Sequence, residues 1–150
     1  MKNMKALNKT LKFQTKGLFD FVDITNEIKK NVDEGQIKNG LVNIQILHTS
    51  ASLILNENEP LLIEDFKENL ERTASKDLKY RHDNLNERTV NLCSEACVNG
   101  HAHCKAIHLP VNITLNLIEG KLQLGQWQRI FIVELDQPRQ RTVQVQILGI

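Results

Sequence analysis

The chain has 150 residues, 41% hydrophobic and 25% charged, and Lys+Arg 19 against Asp+Glu 18 leave a formal net charge of +1. That balance argues against a general nucleic-acid binder, whose mark is clustered basic excess, and no apolar run approaches the roughly 20 residues of a membrane helix. One domain over residues 1–150 is expected, large enough to bury a core without disulfide staples.

Met1 to Thr15 carries lysines but no apolar block, so it does not read as a secretory signal. Three cysteines cannot all pair internally, and reduced thiols in a cytoplasmic setting are expected. Thr10 to Thr15 sets Leu11 and Phe13 against polar neighbours and predicts a strand. Asp23 to Glu34 predicts a helix: Asp23 or Thr25 can cap it, Ile24, Ile28 and Val32 form its stripe, and Gly35 can stop it. Gly40 opens a β-rich run through Ile46. Ala51 to Leu55 is a second apolar run, after His48-Thr49-Ser50.

Pro60 suits the first turn of a helix over Leu61 to Ala74, with Leu62, Phe66 and Leu70 as its stripe. Asn58 is placed to cap that helix, and Glu59 to favour its positive end. Ser75 to Glu87 is the longest polar stretch and the best long-loop candidate. Val111 to Ile118, Ile130 to Leu135 and Thr142 to Leu148 alternate as half-buried antiparallel strands. Glu119-Gly120 predicts a turn, and Asp136 to Gln140 a hairpin-like connection. The fold class is therefore α+β: antiparallel sheets, sandwich-like, with two or three helices.

The five histidines carry the chemical signal. Imidazole is the commonest metal ligand and suits proton transfer near neutral pH. His48 ends a predicted strand, His82 stands in the polar stretch before Asp83, and His101 and His103 flank Ala102. If that segment is helical, only one of the two can point into a given pocket. His108 reads as structural. Cys93, Cys97 and Cys104 lack the spacing of a zinc site and read as buried filler. Glu57 can reach a site from the block Asn56 to Glu59, though capping is the simpler reading there. Trp127, the one Trp, can stack on a planar ligand but reads first as core. No Walker loop, dinucleotide fingerprint or serine elbow is present.

Three segments occur in order: His48-Thr49-Ser50-Ala51 leading to Asn56-Glu57; Asn99-Gly100-His101-Ala102-His103; and Gly120 through Leu124-Gly125-Gln126-Trp127-Gln128 to Glu134, Asp136, Pro138-Arg139 and Arg141. Together they resemble the YjbQ-like family, also described as secondary thiamine-phosphate synthase enzymes, over about Thr10 to Gly149. His48 matches the family's HTSA histidine and His103 its AH-x-K histidine, with Lys105 following. Gly125, Trp127 and Gln128 match LGTWQ, where Gln126 replaces the usual Thr, and Glu134 matches the acidic residue of the next strand. The resemblance implies a homotrimer of antiparallel sheets with weak thiamine-phosphate synthase activity. In that reading His48, His82, His103 and Glu134 hold a divalent metal, zinc or magnesium, and His48, His103, Glu57 and Lys105 take part in catalysis. Lys105 and Arg141 compensate the charge of a small phosphorylated ligand, and Gly125, Trp127 and Gln128 bind it. The alternative is a non-catalytic metal- or phosphometabolite-binding homotrimer. Neither nucleic acid nor membrane is an expected partner.

Overall fold

Alternation of apolar and polar residues builds the larger of two sheets in a computed structural model that describes residues 3–92 and 98–150. Strand β1 (Lys5–Gln14) half-buries Leu7, Leu11 and Phe13, and β8 (Gln140–Gly149) buries Val143, Val145 and Ile147. The two pair antiparallel from Lys5↔Gly149 to Gln14↔Gln140. On the other side of β8 lies β3 (Gly40–Ile46), followed by β5 (Asn112–Ile118) and the short β6 (Lys121–Leu122). Glu119 and Gly120 take positive φ of 51° and 77° between β5 and β6, the backbone a tight primed turn requires.

The second sheet has three strands in the order β2 (Phe21–Asp23), β7 (Arg129–Glu134), β4 (Ala51–Asn56). It is buried because β7 is continuously apolar from Ile130 to Val133. Leu53, Ile130 and Ile132 pack against Val42, Ile44, Val143, Val145 and Ile147 of the first sheet, with Ile28 and Val32 of α1 (Thr25–Gly35) and Ile24 just before it closing the core. The architecture is thus α+β with two antiparallel sheets, as the alternation implied. Three α-helices accompany them, and no helix among the described residues is long and apolar enough to cross a membrane.

Several local expectations are corrected. Asp136 to Gln140 joins β7 to β8, which lie in different sheets, so it is a crossing between layers and not a hairpin. Helix α1 runs through Gly35, and Gln36 takes the left-handed cap position with φ of 49°. Glu59, not Asn58, caps α2 (Pro60–Thr73): its carboxylate accepts from the N–H groups of Leu61 at 3.0 Å and Leu62 at 2.7 Å. Asn58 instead donates to Asp23 Oδ2 at 3.2 Å.

A second, smaller core lies over the outer face of sheet two. Leu70 of α2 and Ala102 and Ala106 of α3 (Gly100–Ala106) pack there with Val133 and Leu135. Gly100 is needed where α3 begins. A Cβ there would stand 2.4 Å from Tyr80 Cβ, and its N–H donates to Asp83 Oδ1 at 2.8 Å. The helix start is thereby pinned against the 3-10 turn Arg81–Asp83, which carries His82.

Candidate functional site

A cleft of about 910 Å³ opens where β4 begins and β7 ends. His48, Thr49 and Ser50, on the link from β3 to β4, form one wall, and His82 and His103 form another. Arg139, Gln140 and Arg141, at the start of β8, line its base, with Arg88, Asn91 and Asn99 at its edges. No carboxylate is among these lining residues.

Helical geometry sorts the two histidines of α3. Residues i and i+2 point to different sides of a helix. His103 faces the cleft, while His101 is buried. His103 Nδ1 lies 3.1 Å from the Thr49 carbonyl oxygen. A carbonyl can only accept, so Nδ1 carries the proton and Nε2 keeps a bare lone pair. Burial, then the neighbouring His82, holds the His103 pKa below its ordinary value, so the ring is neutral at pH 7. The His82 and His103 rings meet edge to face at 4.7 Å between centroids. His48 accepts at Nε2 from the Thr142 N–H at 2.7 Å. Burial, then the Arg141 charge, lowers its pKa, and the neutral ring must carry its hydrogen on Nδ1. The cleft therefore holds a ring that keeps a donor, His48, and one with a bare acceptor, His103.

The arginines differ in what they have left to give. Arg141 is buried against Glu134: its Nε donates to Glu134 Oε2 at 2.6 Å, a second bond joins Nη2 to Oε1, and Nη2 also reaches Ser50 Oγ at 3.1 Å. Arg139 reaches Asp136 Oδ2 at 3.2 Å. Arg88 donates to the carbonyls of Val90 at 3.3 Å and Asn91 at 2.6 Å, and no carboxylate partners it among the described residues. His82 Nε2 and Asn99 Oδ1, both buried on cleft residues, have no hydrogen-bond partner among the described residues. Leaving such atoms unpaired costs about 1–3 kcal/mol each, which a ligand can recover.

Of the residues singled out in the sequence, the structure brings His48, His82, His103 and Arg141 to this cleft. Others it places elsewhere. Glu134 is fully buried, with both oxygens accepting from Arg141, and Oε1 also accepts the N–H groups of Leu135 at 3.1 Å and Asp136 at 3.0 Å. No lone pair of it faces a ligand in the cleft. Lys105 is also fully buried and cannot meet a phosphate. Its Nζ donates to the Ala74 carbonyl at 2.6 Å, lies 3.1 Å from Glu71 Oε2 and 3.3 Å from His101 Nδ1, and sits 5.3 Å from the Phe19 ring centroid. It ties α3 to the end of α2.

Glu57, Gly125, Trp127 and Gln128 line a different, shallower hollow of about 420 Å³. Trp127 is 64% exposed and not core. The register Ala51↔Glu134 to Asn56↔Arg129 places the cleft at one end of the β4–β7 pair and this hollow at the other. Six residues at about 3.4 Å each put on the order of 20 Å between them. Cys104 is a half-buried free thiol, and Cys93 and Cys97 lie outside the described residues. Sequence reasoning passed over Arg88 and Asn99 as site residues. Arg88 has no local motif to mark it, while Asn99 directly precedes the Gly100-His101 step.

Among the described residues no three His, Cys, Asp or Glu side chains are grouped to hold a metal ion. Two small antiparallel sheets with a polar cleft at one end of the smaller define a fold of the α+β class. The chain belongs to the YjbQ family: the profile described as "UPF0047 protein YjbQ-like" matches residues 9–150. A UPF0047 protein of Methanothermobacter thermautotrophicus is 30% identical over 146 residues, covering 97% of this chain and 94% of the relative. One from Archaeoglobus fulgidus is 34% identical, over 92% of this chain and 98% of its own. Among solved structures, a YbjQ-like protein of unknown function from Sulfolobus solfataricus P2 superposes with TM-score 0.88. It is 33% identical, over 99% of this chain and 100% of its own. A hypothetical protein from Aeropyrum pernix K1 follows at 0.84, with 30% identity over 96% of this chain and 99% of its own.

Proposed function

We propose that the cleft binds the phosphate groups of a small phosphorylated ligand. The observation that carries this is its lining among the described residues: Arg88 with no carboxylate partner there, two further guanidiniums, three imidazoles and no acidic side chain. Guanidinium forks match phosphate oxygens, and hydrogen bonds to charged groups are the strong ones. His82 Nε2, as the ring's N–H, gains an acceptor when a phosphate oxygen enters.

The resemblance to secondary thiamine-phosphate synthases supports a reaction in the same cleft. A thiazole nitrogen attacks the methylene of a pyrimidine diphosphate; the new C–N bond forms as the C–O bond breaks, and its electron pair leaves with pyrophosphate. That step needs charge stabilisation on the leaving group and no protein nucleophile. Arg88 supplies it, and a divalent metal held by His82 and His103 would add to it, completing its shell with phosphate oxygens and water. The homotrimer is supported by the same resemblance.

Calorimetric titration with inorganic pyrophosphate tests the reading. The wild-type chain should bind, and Arg88→Ala should weaken binding about tenfold or more, the equivalent of one charged hydrogen bond. With magnesium present, His103→Ala should weaken it with an unchanged circular-dichroism spectrum, by losing the metal that the bare Nε2 would hold. Equal affinity in wild type and both variants would overturn the assignment. Elemental analysis of untagged protein, with His103→Ala alongside, tests the metal separately.

A further inference from the structure

We infer that the cleft selects, among phosphorylated ligands, those that carry a hydroxyl or amine hydrogen beside the phosphate, and that Asn99 is the residue that reads it. The inference deepens the phosphate reading above and rests on it. A phosphate dianion gives the guanidiniums and imidazole N–H groups of the cleft what they need, since its oxygens accept. It gives an amide oxygen nothing, because two acceptors repel. Asn99 lines the cleft and is 7% exposed, and its Oδ1 is buried without a hydrogen-bond partner among the described residues. A partner for that oxygen has to come from another part of the ligand.

The orientation of the amide is set from behind. Asn99 Nδ2 donates to Asp136 Oδ2 at 3.1 Å, and a carboxylate can only accept, so turning the amide over would set oxygen against oxygen. Asp136 is itself held. Its side chain is nearly buried, the same Oδ2 accepts from Arg139 Nη2 at 3.2 Å, and its N–H donates to Glu134 Oε1 at 3.0 Å. Nor is Asn99 Oδ1 spent on the helix. Asn99 stands at the N-cap of α3, where an asparagine oxygen commonly accepts from the first turn. Its side chain makes no such bond, and the Ala102 N–H goes to the Asn99 main-chain carbonyl at 2.9 Å. Other buried atoms without a hydrogen bond do not make the same demand. His82 Nε2 donates and is served by the phosphate itself; Glu71 Oε2 faces the Lys105 ammonium at 3.1 Å; Ser52 is not a cleft residue. An acceptor fixed in this way favours a ligand with a hydrogen to give. It penalises one without, because the amide oxygen then stays dry and unpaired.

Calorimetric titration with three phosphate monoesters of the same three-carbon chain tests this: glycerol 3-phosphate with hydroxyls, 3-aminopropyl phosphate with an amine, and propyl phosphate with neither. The wild-type chain should bind at least one of the first two about tenfold or more tighter than propyl phosphate. Which of the two wins tells whether the hydrogen comes from a hydroxyl or an amine. Asn99→Leu removes the acceptor and keeps the bulk, and should bring the preference to within about twofold. Asn99→Ala should do the same, and guards against one variant failing to fold by circular dichroism. Equal affinity of the wild type for all three esters, or a preference that the folded variants keep, would overturn the inference and leave the phosphate reading standing. So would binding of pyrophosphate with none of the esters bound. If neither pyrophosphate nor any ester binds, the phosphate reading falls and this inference with it.

Discussion

The two ends of the second sheet are built on different principles. At the cleft end, buried charge is matched with buried charge. Arg141 and Glu134 are each almost wholly out of water, and their pair also fixes Ser50 and the chain after β7. At the Trp127 end nothing comparable is buried: Trp127 is exposed, Glu57 is half-buried, and the nearest ion pair, Arg129 with Asp23 at 2.7 Å, is only partly covered. The cleft end is thus fixed by the fold of one chain, whereas the Trp127 end is a surface that the fold presents. A substitution at the first should be read in stability, and one at the second should leave stability nearly unchanged.

The largest effect should follow Glu134→Ala. It strands the Arg141 guanidinium in a dry site, and breaking a buried pair by removing one partner costs about 3–5 kcal/mol. Denaturant unfolding should show that loss, and Glu134→Gln combined with Arg141→Met should recover much of it. Lys105→Met should come next, at about 1–3 kcal/mol, through loss of the bonds to Ala74 and Glu71. Its pyrophosphate affinity should stay within about twofold of wild type, a change of under 1.4 kcal/mol. A collapse of binding in a stably folded Lys105→Met chain would return this side chain to the ligand.

Acid should act on the cleft end as well. The pKa values of His48, His101 and His103 are all lowered in the folded chain, burial being the first cause for each. Between the folded values and the unfolded value of about 6.5, the unfolded state binds more protons. Stability therefore rises with pH there and falls as pH drops below about 6.5. Protonating His48 also removes the acceptor that the Thr142 N–H uses. His48→Gln, which titrates nothing, should flatten part of that acid slope in melting temperature against pH. The smallest effect belongs to the other end. Trp127→Ala should change unfolding free energy by no more than about 0.5 kcal/mol, as for an ordinary surface site.

How much of this was legible beforehand follows from how local each signal is. The strands of the larger sheet could be read because period-two alternation is carried by their own residues, as in Val143, Val145 and Ile147. The short β2 and β6, of three and two residues, carry too few positions to alternate. The link at Asp136 to Gln140 looked like a hairpin because local sequence does not say which sheet a strand joins. His103 was found from its motif, and helical spacing explained why His101 could not share its pocket. The same spacing holds the signal that was passed over for Lys105: it lies four residues after His101, on the same buried face. Trp127 was misplaced because burial statistics describe tryptophans in general, whereas its turn, between Gly125 and Gln128, lies outside both cores. The sequence set of site residues therefore mixed cleft residues, hollow residues and two buried groups, Glu134 and Lys105, and only strand register could separate the first two.

The most direct test of the central claim is a titration of the five histidines by NMR of the imidazole Cε1–H signals, with inorganic pyrophosphate added to the full chain. The account predicts that the signals of His48, His82 and His103 move together and saturably, while His108, outside the cleft, stays in place. Movement confined to His108, or no saturable movement at His48, His82 and His103, would contradict it.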